Sequence, residues 1–201
     1  MNLPNKLTCA RMALIPFFLF FLIFPEIITE NPSRIIAAVI FALTAFTDML
    51  DGKIARKYNL VTDFGKFMDP LADKLMVFGA MIGILVLNTV TGTPEMAIFN
   101  KVFAVSAFII IFRELAVTSM RMVVSSAEGI VIAANIFGKL KTVSQIIGIV
   151  VILVEPVIYS AFNVACVPYA SYVMLGIMVF TTLFSGFNYF KAYWPHINSN
   201  K

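Results

Sequence analysis

Apolar residues run through this chain in six long stretches, set apart by short polar segments. The stretches are Leu7–Ile28, Ile35–Arg56, Pro70–Thr89, Ala97–Val124, Val143–Ser160 and Pro168–Tyr189. A helix that crosses a bilayer needs ~17–25 mostly apolar residues, because only a fully hydrogen-bonded backbone is tolerated in hydrocarbon. The pattern therefore predicts an all-α polytopic membrane protein with six transmembrane helices in one bundle. Lys6 and Arg11 precede and enter the first stretch as they would in a signal peptide. No small-residue cleavage site follows, and five more stretches come after it, so a retained first span is expected.

Composition agrees. The 201 residues are 60% hydrophobic and 13% charged, against ~45–50% and ~25% in a soluble domain. Mean hydropathy is +0.92. The connecting segments are too short to form a second domain, so residues 1–201 are expected to form one membrane domain with a polar tail from about Lys191. The two cysteines, Cys9 and Cys166, fall at opposite ends of the bundle in this topology. A disulfide between them is not expected, since its Cα atoms must lie within ~7 Å.

Charge sets the orientation. With the amino terminus inside and the spans alternating, twelve of the fifteen Lys and Arg residues fall on the cytoplasmic side. Only Arg34 and Lys101 fall outside, and Arg113 lies within the fourth span. This positive-inside bias predicts cytoplasmic N- and C-termini in a multi-pass protein. It also accounts for the basic pI without a nucleic-acid partner. Glu26, Glu30, Glu95 and Glu155 fall near the outer side.

All five aspartates of the chain, Asp48, Asp51, Asp63, Asp69 and Asp73, lie in one 27-residue window, DMLDGKIARKYNLVTDFGKFMDPLADK. The window joins the second and third spans on the cytoplasmic side. Asp48 and Asp51 are three residues apart and Asp69 and Asp73 four apart, so each pair shares a helix face. The 57–68 segment, with Asn59, Thr62, Asp63 and Gly65, is read as the turn that brings the two faces together. Four converging carboxylates repel one another unless protonated or bridged by a cation. Oxygen-only ligands suit Mg²⁺ or Mn²⁺, and the ligand count suits two ions clamping a phosphate. Gly52 and Gly65 give a ligand access to the backbone, Ala55 keeps the Asp51 face low, and Arg56 offers phosphate a fixed positive charge. Asp63 is read as a solvated or capping residue.

Asp48-x2-Asp51-Gly52-x2-Ala55-Arg56-x8-Gly65-x3-Asp69-x3-Asp73 resembles the signature of the CDP-alcohol phosphatidyltransferase family at all eight positions. The resemblance, with six spans in about 200 residues, covers essentially the whole chain. It implies that Asp48, Asp51, Asp69 and Asp73 hold the metals and that Asp73 is the base for the acceptor hydroxyl. It further implies that Gly52, Ala55, Arg56 and Gly65 line the CDP-diacylglycerol site.

The acceptor is read from the remaining cations. Arg113 lies within the fourth span, where a charge is costly and is either paired or ligand-binding. Its neighbour Glu114 is one residue away, so helix geometry does not make it the obvious partner. Arg121 lies two turns on, and Lys139 and Lys141 open the fifth span. The four cations form a candidate pocket for an acceptor phosphate. Topological anchoring is the alternative for the lysines, and carbonyls or a counter-carboxylate are the alternative for Arg113. NLPNKLTCARM, FRELAVTSMR and GKLKTVSQ resemble the phosphatidylglycerophosphate synthase branch of the family, which implies sn-glycerol 3-phosphate as acceptor. Asn5, Thr8 and Arg11, at the start of the first span, either cap the site or anchor it at the surface. The resemblance also implies a homodimer; the charge bias predicts a plasma-membrane protein with its active site facing the cytoplasm. The alternatives are a cardiolipin synthase or a phosphatidylinositol(-phosphate) synthase of the same family and, more distantly, a divalent-cation transporter. The last would place its acids near the midplane of repeated halves.

Overall fold

The computed structural model describes residues 2–58, 62–92, 94–128, 136–165 and 167–196; the side chains of 3–4, 51–57, 63, 66, 95, 126–128 and 196 lie outside that description. Among the described residues there are six α-helices and no strand. They are α1 (Leu3–Ile23), α2 (Glu30–Lys57), α3 (Asp63–Thr91), α4 (Pro94–Glu128), α5 (Ile136–Ala161) and α6 (Tyr169–Tyr193). Each contains a segment long and apolar enough to cross a membrane. Single 3-10 turns at Pro25–Ile27 and Trp194–His196 follow α1 and α6.

The helices extend past the apolar stretches wherever local chemistry permits. α1 instead stops at Ile23, short of the expected Ile28, because Pro25 opens the 3-10 turn. The expected 57–68 turn is shorter than read. α3 already starts at Asp63, because Thr62 caps it and its hydroxyl accepts a hydrogen bond from the Gly65 N–H at 3.1 Å. Gly65 thus sits in the first turn of a helix. α5 begins at Ile136, so Lys139 and Lys141 are helical as well.

Packing follows the apolar faces. α1 lies against α2 and α3, α5 against α2 and α6, and α4 against α3 and α6. Phe18 and Leu22 of α1, Phe41 of α2, Ala80 and Ile84 of α3, Phe103 of α4, Ile152 of α5 and Met178 of α6 meet in one buried core. The outward faces are also apolar, as at Phe108, Phe112, Phe180 and Phe187, which suits a hydrocarbon surrounding rather than water.

Polar stitches fix the ends. At one end Glu155 of α5, itself buried, accepts hydrogen bonds from the Ala170 and Ser171 N–H groups at 2.9 and 2.7 Å and so satisfies the open N-terminus of α6. At the same end buried Arg34 of α2 pairs with Glu30 at 2.9 Å and donates to Asn88 of α3 at 3.0 Å. The opposite end gathers the start of α1, the end of α2, the start of α3, the end of α4, the start of α5 and the end of α6. This is the up-and-down alternation that the charge pattern requires. Of the two cysteines, Cys9 is a half-buried free thiol, and Cys166 lies outside the described residues.

Candidate active site

A cavity of about 860 Å³ opens at that second end, within the size range of small-molecule sites. Asp48 of α2 and Asp69 and Asp73 of α3 border it, with Lys74 beside them. Arg113, Glu114, Thr118 and Arg121 of α4, Lys139, Lys141 and Thr142 of α5, and Tyr189 of α6 complete it. The carboxylates and the candidate acceptor cations therefore share a single space. Gly138 also borders it.

The acidic side is held from α1. The Arg11 guanidinium, only 1% exposed, forms an ion pair with Asp48. The Thr8 hydroxyl donates to Asp69 Oδ1 at 2.7 Å. Asn5 accepts a hydrogen bond from the Thr62 hydroxyl at 3.0 Å, next to Gly65. A Cβ on Gly65 would lie 3.2 Å from Asn5 Oδ1 and 3.7 Å from Asp69 Oδ2. An added Cβ would crowd Asn5, while its distance to Asp69 would be an ordinary van der Waals contact. Surface anchoring does not describe Asn5, Thr8 and Arg11, which are 7%, 1% and 1% exposed.

The carboxylates border one cavity without closing on a point. Among the described residues no three acidic, histidine or cysteine side chains stand close enough to hold one ion. Arg11 pairs with Asp48, and Thr8 donates to Asp69. α2 carries Asp51, Gly52, Ala55 and Arg56 along its last two turns, but their side chains lie outside the described residues, as does that of Asp63.

The basic side departs from the helical-spacing argument. Arg113 Nη1 does pair with its neighbour Glu114 at 3.0 Å, and Lys141 Nζ meets the same carboxylate oxygen at 2.6 Å. Adjacent residues diverge by ~100° at the backbone, but both side chains are long and turn toward the α5–α6 side, where Lys141 and Ser185 provide the other contacts. Arg113 Nη2 donates to Ser185 Oγ of α6 at 2.7 Å. Its guanidinium carbon lies 5.7 Å from the centre of the Tyr189 ring, and that of Arg121 lies 5.5 Å from the same ring. Gly186 makes room for this arrangement, since a Cβ there would come within 2.9 Å of Arg113 Cγ. Arg121 and Lys139 are exposed, whereas Arg113 and Lys141 are buried.

Glu114, Ser185, Gly186 and Tyr189 were missed by sequence reasoning. The last three lie in an apolar span with no charge to mark them. Asp73 sits at the junction of the two sides. It borders the same cavity as Asp48, Glu114 and Lys141.

Comparison with known proteins gives the family. The family model for CDP-alcohol phosphatidyltransferase matches residues 1–184. A protein of Bacillus subtilis (strain 168) named CDP-diacylglycerol–glycerol-3-phosphate 3-phosphatidyltransferase is 40% identical over 207 aligned residues, covering 99% of this chain and 98% of its own. Proteins of the same name from Rickettsia bellii (strain RML369-C) and Pseudomonas fluorescens are 35% and 31% identical. They cover 95% and 100% of this chain and 94% of their own lengths in each case. The six-helix bundle, its cavity of carboxylates and cations, and these matches lead to one conclusion: the chain belongs to the CDP-alcohol phosphatidyltransferase family.

Proposed function

We propose that this protein transfers the phosphatidyl group of CDP-diacylglycerol to sn-glycerol 3-phosphate, giving phosphatidylglycerophosphate and CMP. The observation that carries the proposal is the single cavity bordered by Asp48, Asp69 and Asp73 together with Arg113, Arg121, Lys139 and Lys141. The names of the relatives support both substrates. One membrane domain over residues 1–201, working as a homodimer in the plasma membrane with this cavity toward the cytoplasm, completes the reading. The charge bias supports the orientation.

The acidic side fits a hard divalent cation. Its donors are all carboxylate oxygens, and Asp69 is exposed to the cavity. Asp48, Asp51, Asp69 and Asp73 would hold Mg²⁺ or Mn²⁺, in two ions, supplying charge neutralisation for the diphosphate and the departing CMP. Gly52, Ala55, Arg56 and Gly65 would line the CDP-diacylglycerol site, where Gly65 leaves space that a Cβ would close.

On the basic side, Arg121 and Lys139 border the cavity as exposed cations, and buried Arg113 and Lys141 border it as well, both meeting Glu114. The four hold the acceptor phosphate, and the acceptor hydroxyl is thereby turned toward Asp73. Its oxygen attacks the lipid-bearing phosphorus, the bond from that phosphorus to the CMP oxygen breaks, and the proton passes to the Asp73 carboxylate. Most of the acceleration comes from holding two anions in line in a fixed field of charges.

The test is CMP release by purified protein with CDP-diacylglycerol and a panel of acceptors: glycerol 3-phosphate, phosphatidylglycerol, serine, inositol and inositol phosphate. Preference for glycerol 3-phosphate is expected. Turnover with phosphatidylglycerol or inositol phosphate and none with glycerol 3-phosphate would move the protein to another branch. No CMP from any acceptor would remove the transferase reading.

A further inference from the structure

We infer that the amino-terminal polar face of α1, made by Asn5, Thr8 and Arg11, is a template that sets the α2 and α3 carboxylates in their metal-binding positions. The inference rests on the metal reading above and adds positioning residues to it. The three residues are spaced by three, so they are successive neighbours on the helix surface. Each reaches a different point of the acidic window. Arg11 takes Asp48, Thr8 takes Asp69 Oδ1 at 2.7 Å, and Asn5 takes Thr62, which caps α3 through the Gly65 N–H.

Their burial makes the assignment specific. An arginine 1% exposed gains nothing as a membrane-surface anchor, since anchoring depends on contact with headgroups and water. Asp48 and Asp69 lie on two helices that share few contacts, whereas each of those helices packs extensively on α1. The separation of the carboxylates is therefore set through α1 and not by α2 and α3 gripping each other. Groups that bond a metal ligand from behind fix its orientation, and their loss typically lowers metal affinity ~10- to 100-fold.

Arg11 also has an opposing electrostatic effect, because a cation beside a ligand repels a second cation. The informative variant there is the charge-conserving Arg11→Lys, which loses only the planar fork. At Thr8 the informative pair is Thr8→Val, which removes the hydroxyl at nearly constant shape, and Thr8→Ser, which keeps it.

The experiment is Mn²⁺ titration of the full chain in detergent, following free Mn²⁺ by electron paramagnetic resonance, alongside melting temperature without metal. Thr8→Val is expected to weaken Mn²⁺ binding about tenfold, with Thr8→Ser within about twofold of the parent protein. Arg11→Lys is expected to weaken it several-fold, and it carries the test if Thr8→Val does not fold. At saturating metal the KM for the acceptor should stay unchanged in both. A purely structural role would lower the metal-free melting temperature and leave the isotherm in place, and that result overturns the inference. So does a folded Thr8→Val or Arg11→Lys with the parent isotherm. If the parent protein itself binds no Mn²⁺, the metal reading fails first and the template falls with it.

Discussion

Tyr189 offers a sharp test of the basic side, because it is uncharged and yet touches two of the four cations proposed to hold the acceptor. Its ring is 6% exposed and lies within 6 Å of both the Arg113 and the Arg121 guanidinium carbons. A cation over an aromatic face is worth ~0.5–1 kcal/mol where exposed, as for Arg121, and ~2 kcal/mol where desolvated, as for buried Arg113. The two contacts together come to about 2–3 kcal/mol, a ceiling of roughly 30- to 150-fold in kcat/KM if all of it reached the acceptor. Arg113 keeps its bonds to Glu114 and Ser185, so much of its position survives and a loss of about tenfold is expected from Tyr189→Leu. The loss should appear in the KM for glycerol 3-phosphate and leave that for CDP-diacylglycerol nearly unchanged. Tyr189→Phe retains the ring and should stay within about twofold of the parent protein. The assay is CMP release with each substrate varied in turn, with folding checked by size-exclusion chromatography. Equal damage to both KM values would show that the ring only packs the bundle. A folded Tyr189→Leu with parent constants would refute the positioning argument.

Asp69→Asn should abolish CMP release while the protein stays folded, and its metal-free stability should hold or rise slightly, since one of several like charges is gone; near-normal turnover at saturating Mg²⁺ would remove Asp69 from the essential ligands. Arg113→Ala should lower the melting temperature, because it leaves Ser185 without its donor and Glu114 with Lys141 alone, a loss on the order of 1–3 kcal/mol. The same variant should raise the KM for glycerol 3-phosphate, with Arg113→Lys recovering only part; unchanged melting and constants would contradict both claims. Orientation is testable at the α5–α6 connection: Val164→Cys, exposed at the end opposite the cavity, should react with an impermeant maleimide added outside intact cells in a Cys9→Ser, Cys166→Ser background. Protection there, with labelling only after lysis, would invert the topology.

How much the sequence disclosed depends on whether a feature is local. Six apolar runs gave six helices because crossing length and hydropathy are properties of a single segment. The acidic window was visible for the same reason, since its spacing is fixed along two helices. Helix ends were less legible. Thr62 was present in the supposed turn, but Gly65 stands where a capping box would place Glu or Gln, so the usual start signal was incomplete. The Arg113–Glu114 pair was misread because helical spacing considers one helix alone. Lys141 and Ser185, from two other helices, decide where those side chains go. Arg11 counted correctly as a charge on one side of the bundle, yet nothing in the one-dimensional pattern distinguishes an exposed anchor from an arginine buried against Asp48.

The division of the cavity into acidic and basic sides follows from the substrates proposed for it. CDP-diacylglycerol and glycerol 3-phosphate are both anions, and bringing them together costs electrostatic energy that grows as water is excluded. A uniformly basic cavity would attract both without telling one from the other. Carboxylates on one side accept a diphosphate only with divalent cations between them, so that side is closed to a bare phosphate ester. Direct cations on the other side accept the phosphate ester without metal. Glu114 tempers that second side by sharing one carboxylate oxygen between Arg113 and Lys141, which lets two buried cations coexist beside Arg121 and Lys139. Glu114 thus offsets part of the buried charge within the protein, while all four cations still border the cavity proposed to take the acceptor. On this reasoning Glu114→Gln, which keeps the shape but not the charge, should harm the fold more than it helps binding, because Arg113 and Lys141 would then repel each other at close range. A melting temperature equal to or above that of the parent protein, with a tighter KM for glycerol 3-phosphate, would show instead that Glu114 only competes with the acceptor for its cations.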